Sequence, residues 1–461
     1  MKEIIIISVL GIVLLALDII KLRKLSLPVA IAGLLAMITS CVLDWGNNEI
    51  PFSQYGGMLL FDNYALGFTA VLGIMGIFWM LMNSDQYPAT SSRRTDMFAL
   101  VIFSMCGAVV LSSFTNLVML FLGVEILSIP VYVLAASDRK SIVSNEAGFK
   151  YFFLGALASA VLLFGIALLY GACGTFEVSE ISSIIGAGNY SALMTTGVTM
   201  IIAGFAFKVS VAPFHMWAPD VYQGAPTPVT AYMATIVKGA AFAGFFRLFG
   251  QYITSLPEAF HTAMAWMIAI TLILANFIAI VQSSSKRLLA YSSISHAGFL
   301  LGFVLMAQDA PAKYLLYYVL TYGIASLTAF SVLNHVASMQ NGDDSLTAFK
   351  GLSKRNPVMA GAMTVSLFSM AGIPPMSGFL AKYYVISGLL SGGYVVLVVL
   401  MVVTSAIGAW YYLRLIMAMF TPIENAGRIV VGETQRLLYL LLSILIIALF
   451  FLAALVEVMG I

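Results

Sequence analysis

Four charged side chains stand where the surrounding sequence is apolar: Glu125 in GVEILSIP, Lys208 and Lys238 on either side of VSVAPFHMWAPDVYQGAPTPV, and Lys382 in GFLAKYYV. An ammonium near a bilayer centre costs about 2.5 to 3.5 kcal/mol on insertion scales, so three retained ones call for a use. A lysine amine titrates near about pH 10.4 in water; desolvation or a second cation lowers that value, and a nearby carboxylate raises it. A carboxylate and several lysines at one depth can therefore pass a proton when the spacing or hydration between them changes. Three lysines and one glutamate cannot all pair at once, which favours a relay. The plainer alternative is a buried ion pair that only fixes helix packing.

Residues of this kind need elements to hold them, and composition says which. Of 461 residues, 61% are hydrophobic and 9% charged, against about 25% charged in a soluble domain. The chain therefore reads as an all-α integral membrane protein with no soluble domain. A net charge of +2 argues against a nucleic-acid partner, and four histidines with three scattered cysteines (Cys41, Cys106, Cys173) give no CxxC pair, disulfide framework or paired haem ligands. No metal or cofactor is expected in the chain itself. A crossing of about 30 Å takes about 20 apolar residues. Fourteen such runs lie near 4–20, 25–44, 64–83, 97–113, 116–136, 149–172, 195–213, 228–250, 262–282, 289–306, 312–337, 357–390, 393–420 and 436–459. The first reads as a retained helix, because only Lys2 and Glu3 precede it, KLRK follows it, and no small-residue cleavage site is present.

Alternate loops should differ in lysine and arginine if that count is right. Fifteen basic residues fall on one side (Lys21, Arg23, Lys24, Arg93, Arg94, Arg139, Lys140, Lys150, Lys286, Arg287, Lys350, Lys354, Arg355, Arg428, Arg436) and two, Lys2 and Lys313, on the other. This places both termini outside the cytoplasm. Five basic residues remain within spans: Lys208, Lys238, Arg247, Lys382 and Arg414. At about 1.5 Å per residue, Lys238 lies about 15 Å and Glu125 about 13 Å inside their spans, with Lys208 and Lys382 at similar depth. Arg247 and Arg414 sit close enough to span ends to snorkel to the headgroups. Asp18 lies beside KLRK and reaches water.

The seventh span runs into APFHMWAPD and the twelfth contains AGIPPMSGF, interrupted at Pro374-Pro375. Breaks of this kind are tolerated in a bilayer where the freed carbonyls line a protected or hydrated cavity. Corresponding breaks in two halves suggest two inverted five-helix repeats. The resulting division is three spans in 1–96, a first repeat in 97–250, a second in 251–420 and a last span in 421–461, with Lys208 and Lys382 as counterparts. His296 in YSSISHAGFLLG either carries a proton between the central lysines and the cytoplasmic side or the second half, or is a satisfied polar packing residue. His215 is expected to cap freed carbonyls, and His261 and His335 lie near span ends.

Three stretches, GVEILSIPVYVLAA with EAGFKYFFLGALASA, FKVSVAPFHMWAPDVYQGAPTPVTAY, and SSSKRLLAYSSISHAGF, carry a resemblance extending over about residues 90 to 420. On them the chain resembles the antiporter-like membrane subunits of bacterial respiratory complex I, NADH:quinone oxidoreductase, and among these the N type. Lys382 in place of a glutamate and the absence of a long lateral helix distinguish it from the M and L types. The resemblance implies fourteen helices with broken helices 7 and 12, and a relay of Glu125, Lys208, Lys238 and Lys382. It implies no redox centre here, with quinone, flavin and iron–sulfur clusters in other subunits. Its partners would be the lipid bilayer of a bacterial inner membrane and other membrane-arm subunits, especially an M-type antiporter-like subunit and the small K-type subunit. Two rivals stand beside this translocase reading: a subunit of a multisubunit cation/proton antiporter, and a structural connector that does not pump.

Overall fold

The computed structural model describes residues 1–46, 57–188, 190–253, 255–306, 312–423 and 427–453. Its helices are α1 (Lys2–Ile19), α2 (Ser26–Leu43), α3 (Asn63–Met82), α4 (Ser92–Ser113), α5 (Leu117–Ala135), α6 (Ile142–Cys173), α7 (Val178–Gly186), α8 (Ala192–Lys208), α9 (Trp217–Gly224) and α10 (Thr227–Tyr232). They continue with α11 (Lys238–Phe246), α12 (Glu258–Ile280), α13 (Ser285–Leu305), α14 (Ala312–Ser338), α15 (Leu352–Arg355), α16 (Pro357–Ala371), α17 (Ser377–Ser391), α18 (Val395–Phe420) and α19 (Glu433–Phe451). Among the described residues, 11 helical segments are long and apolar enough to cross a membrane, and α8 and α16 are shorter apolar helices. The all-α membrane architecture read from composition is thus what the chain adopts.

Local sequence sets the helix ends. Side chains of Asn116, Ser191, Ser284 and Asn356 accept from backbone amides in the first turns of α5, α8, α13 and α16, satisfying donors that a helix start leaves free. Gly174 (φ 72°) and Gly372 (φ 84°) end α6 and α16 in the left-handed region, where only a residue without Cβ sits easily. α4, α6 and α13 begin several residues before the apolar runs at 97, 149 and 289, and their polar starting residues Arg94, Thr95, Ser144, Ser285 and Lys286 are buried against neighbouring elements. The sequence reading missed α7: nine residues with Val178, Ile181 and Ile185 on one buried face are too short to register as a span. The end of the fourteenth run, 454–459, lies outside the described residues.

The bundle is arranged with its least apolar spans innermost. Thr227–Gln251 and Ser285–Leu305 are wholly buried and Ala312–Ser338 nearly so, whereas Arg23–Leu43, Ile142–Cys173 and Glu433–Phe451 turn most of their surface outward. Lipid solvates the apolar helices and leaves the serine-, threonine- and tyrosine-bearing ones to solvate each other.

Connections tie each end of the bundle. On the basic face Arg23 Nη1 donates to Thr90 O (3.3 Å), Arg93 Nη2 to Ser137 O (3.3 Å), and Arg414 Nη1 to Ile280 O (2.7 Å). On the opposite face Lys2 pairs with Asp44 (2.9 Å), and Leu117 N donates to Phe176 O (2.9 Å). Arg247 corrects the snorkelling expectation. Its side chain is fully buried, with Nε donating to Phe114 O (2.7 Å) and Nη1 to Asp62 Oδ1 (3.1 Å). The loops before α3 and between α4 and α5 bring carbonyls and a carboxylate to the guanidinium, so it has no need to reach the headgroups. Arg414 likewise caps the carbonyl end of α12.

Candidate proton-transfer site

The two interrupted helices create the first and last positions of the site. α8 stops at Lys208, and the chain passes through 209–216 before α9 begins. Trp217 Nε1 donates to the freed Phe207 O (3.0 Å), and Thr271 Oγ1 accepts from Ala212 N (2.9 Å). Trp217 thus caps one freed carbonyl, and His215 bonds to the Pro213 backbone in the same break, with its Nδ1 left unpartnered among the described residues. In the other break α16 ends at Ala371, and its free carbonyl accepts from Lys382 Nζ (3.0 Å) on α17. Gly372 makes room for this turn, since a Cβ there would stand 3.0 Å from Lys382 Cδ.

Each deep ammonium is held by a hydroxyl. Lys208 Nζ donates to Ser128 Oγ and lies 5.8 and 5.7 Å from the ring centres of Tyr132 and Tyr151. Lys238 Nζ donates to Ser293 Oγ (2.6 Å) and Ser293 O (2.9 Å). Lys382 Nζ also donates to Ser405 Oγ (2.8 Å) and lies 5.0 Å from the Phe299 ring centre. All three lysines are at most 8% exposed. Rings and neutral hydroxyls attract a cation without neutralising it.

Glu125 differs from them. It is half-exposed on the outward side of α5, and Ser159 Oγ donates to its Oε1. Glu125 and Lys208 stand beyond direct ion-pair contact, yet near enough for the carboxylate's charge to act on the ammonium. A narrow pocket of ≈ 10 Å³ lined by Lys208, Ser159 and Tyr132 lies between their partners, which is about the room one water needs.

The eighth span sets the register of Lys238. A π turn, Met233–Val237, precedes it and rotates Lys238 relative to a regular helix; such turns recur at functional positions. Its partner Ser293 lies one turn from His296 on α13. His296 Nδ1 meets Tyr318 OH (2.8 Å), Nε2 meets Tyr412 OH (3.5 Å), and the ring lies 4.5 Å from that of Tyr322. On the far side a second narrow pocket of ≈ 10 Å³, lined by His296, Thr321, Ser369 and Gly378 among others, reaches toward the α16–α17 break. His296 thus stands between Lys238 and Lys382. The structure also adds residues that sequence reasoning missed: Ser128, Ser293, Ser405, Tyr318, Tyr322 and Tyr412. The signal available for Tyr318 and Tyr322 was a series of hydroxyl side chains (Tyr318, Tyr322, Ser326) at four-residue spacing in the eleventh run; the others carried none.

At the basic end, α9 carries a separate charged cluster. Asp220 accepts from Arg287 Nη1 (2.9 Å) on α13 and from Lys150 Nζ (3.4 Å) on α6. Arg287 also holds Gln223 (2.8 Å), and Lys150 holds Glu146 (2.7 Å). Partial burial alone would raise the Asp220 pKa, but the bonds and charges of Arg287 and Lys150 outweigh it and hold the carboxyl below its ordinary range. Among the described residues no three His, Cys, Asp or Glu side chains converge as a metal site.

The profile of the family described as "NADH:quinone oxidoreductase/Mrp antiporter, TM" matches residues 115–408. The NADH-quinone oxidoreductase subunit N of Flavobacterium johnsoniae is 39% identical over 436 residues, covering 93% of each chain. The chain belongs to the NADH-quinone oxidoreductase subunit N family. Among solved structures the chain is similar to a chain of respiratory complex I from Thermus thermophilus with bound aureothin. It superposes with a TM-score of 0.84 at 32% identity and 98% coverage of both chains. A chain of the Mrp complex from Dietzia sp. gives a TM-score of 0.86 at 21% identity, over 99% of this chain and 96% of that one, a likeness of fold alone. Family membership accords with the multi-pass inner-membrane reading.

Proposed function

We propose that the chain is a proton-translocating membrane-arm subunit of an NADH:quinone oxidoreductase, carrying protons along Glu125, Lys208, Lys238, His296 and Lys382. The observation that carries this reading is the line Lys238–Ser293, His296 and Lys382–Ser405. It holds two deep ammoniums whose contacts are hydroxyls and carbonyls, on either side of an imidazole with hydroxyls at both ring nitrogens. A hydroxyl can accept and donate in one concerted step, and an imidazole can do the same through its two nitrogens. In such a relay Lys238 gives a proton to Ser293 as that hydroxyl gives up its own, a tyrosine hydroxyl protonates one His296 nitrogen as the other nitrogen loses its proton, and the proton ends on Lys382 only after that lysine has itself been emptied to a neutral amine.

The half-exposed Glu125 suits the upstream end. A carboxylate at mid-span on an outward face is costly against lipid, so a neighbouring subunit is the fitting cover. That neighbour would be the K-type subunit, with the M-type subunit on the Lys382 side. The two interrupted helices, each with a lysine beside the break, support inverted repeats over 97–250 and 251–420. The basic face lies in the cytoplasm and the termini on the outer side, as loop charge requires. Quinone, flavin and iron–sulfur chemistry belong to other subunits, and no bond is made or broken here beyond those to protons. The antiporter reading draws support from the family description, which covers both kinds of complex. The relatives at 32% and 39% identity favour the oxidoreductase.

The test is Lys238→Ala and Glu125→Gln in the assembled complex, reconstituted into vesicles. Proton translocation coupled to quinone reduction should fall by tenfold or more with subunit composition unchanged. Full pumping by both variants sinks the relay, and failure to assemble favours the connector.

A further inference from the structure

α9 separates two compartments of different character. On one side is an open polar vestibule of ≈ 170 Å³ lined by Glu146, Lys150, Asp220 and Gln223, with Val143, Ala147 and Gly224. On the other side is Lys238, whose ammonium lies 5.8 Å from the ring centre of Tyr222. Tyr222 is 1% exposed and covers the lysine from the basic face. α9 spans only Trp217–Gly224, follows the interruption after Lys208, and is anchored at both flanks through charge. Arg287 of α13 takes Asp220 and Gln223, Lys150 of α6 takes the other Asp220 oxygen, and Lys286 Nζ donates to Ala225 O just past the helix end. Gly224 lets α9 approach α6 closely, since a Cβ there would stand 2.7 Å from Ala147 Cβ and from Val143 O.

We propose that Asp220, clamped between Lys150 and Arg287, is the positioning residue that keeps Tyr222 over Lys238, and that releasing this clamp admits vestibule water to the lysine. This rests on the reading of Lys238 as a relay residue. The charged groups facing Asp220 are Lys150 and Glu146 on α6 and Arg287 on α13, with Lys286 and Asp344 beyond them. Two cations hold one half-exposed carboxylate, so either cation can leave without stranding a buried charge. Movement of α6 or α13 against α9 is therefore enough to open the clamp. Once it opens, a Lys238 that has passed its proton on to Ser293 and become a neutral amine takes a new one from vestibule water, leaving hydroxide to be neutralised by the bulk.

The experiment is hydrogen–deuterium exchange of the intact complex carrying Asp220→Asn or Arg287→Gln, with Asp220→Glu as rescue. Amide exchange in 217–226 should rise about three- to tenfold, the scale of losing two partly exposed ion pairs. Exchange in 357–371 should stay as in the parent, and the glutamate should restore protection. Unchanged exchange in 217–226, or an equal rise in both segments, overturns the clamp. In vesicles without substrate, Asp220→Asn should leak protons inward from the basic face, and adding Lys238→Ala should stop the leak. Absence of a leak reduces Asp220 to a strut and overturns the gating claim. Normal pumping by Lys238→Ala alone would instead remove the relay reading and leave the exchange result standing.

Discussion

Replacing Ser293 by alanine removes one hydroxyl and leaves the rest of the Lys238 cradle in place. The ammonium keeps its 2.9 Å bond to Ser293 O, because that acceptor is backbone, and loses the 2.6 Å bond to Oγ. A hydrogen bond to a charged group is worth about 1.5 to 3 kcal/mol. At about 1.4 kcal/mol per factor of ten, proton transfer through Lys238 should slow by about 10- to 100-fold. The chemical distinction is sharper than the energy. A carbonyl oxygen accepts but has no proton to pass on, so the remaining bond can hold the lysine and cannot relay from it. The complex with Ser293→Ala should assemble normally, while quinone reduction and the proton uptake coupled to it, followed in vesicles with a pH-sensitive dye, fall together by at least tenfold. Ser293→Thr should retain most activity, because it keeps a hydroxyl at the same branch. Full coupled turnover in Ser293→Ala would refute the assignment of this hydroxyl to the path.

Other perturbations separate architecture from transfer. Arg247→Ala removes the donor to Asp62 and Phe114 O. Because Asp62 still reaches solvent, it should destabilise by about 2 to 3 kcal/mol rather than the larger figure for a sealed pair, seen as a lower melting temperature of the purified complex. Gly107→Ala should be worse. Its Cβ would stand 2.2 Å from Leu127 N and 2.7 Å from Gly123 O, both backbone, forcing α4 and α5 apart, and the expected result is loss of the subunit from membranes. Gly46→Ala, where nothing lies nearby, tests only backbone strain, since its φ is 79°; a modest loss of about 1 kcal/mol in thermal stability is expected. The Asp220 carboxyl is held below its ordinary range, so its ion pairs contribute stability above the unfolded value near about pH 3.9 and lose it as pH falls through the lower folded value. Amide protection of 217–226, corrected for intrinsic exchange, should therefore be flat from pH 9 to pH 5.

Much of the architecture was legible because a bilayer leaves few options: apolar runs of crossing length became helices, and the runs with APFHMWAPD and AGIPPMSGF became interrupted ones, while α5 runs unbroken through Pro130. The positions of Lys208, Lys238 and Lys382 followed from depth along a helix. What depth cannot give is azimuth. Glu125 lies at nearly the same level as Lys208, yet its side chain turns outward while the lysine turns in, and they make no ion pair. The π turn before Lys238 alters the azimuth again, and five ordinary residues, MATIV, announce nothing of it. Arg247 was misread for a related reason. Nearness to a span end was visible, but not that the loops before α3 and after α4 fold over it. His296 was flagged by type, whereas the tyrosines that meet it come from α14 and α18, far along the chain.

The innermost spans being the least apolar has a consequence for biogenesis. Thr227–Gln251, Ser285–Leu305 and Ala312–Ser338 carry Lys238, Ser293, His296, Tyr318 and Tyr322 and present almost no surface outward. As isolated helices leaving the translocon, the first two would have to place Lys238 or His296 against acyl chains, at a cost that favours slipping back. They should therefore wait at the translocon until α3 to α6, already made and strongly apolar, offer them a protein surface. A ribosome-stalled chain ending after residue 250 is expected to hold its eighth span poorly in the bilayer, and one extended past α14 to hold it firmly.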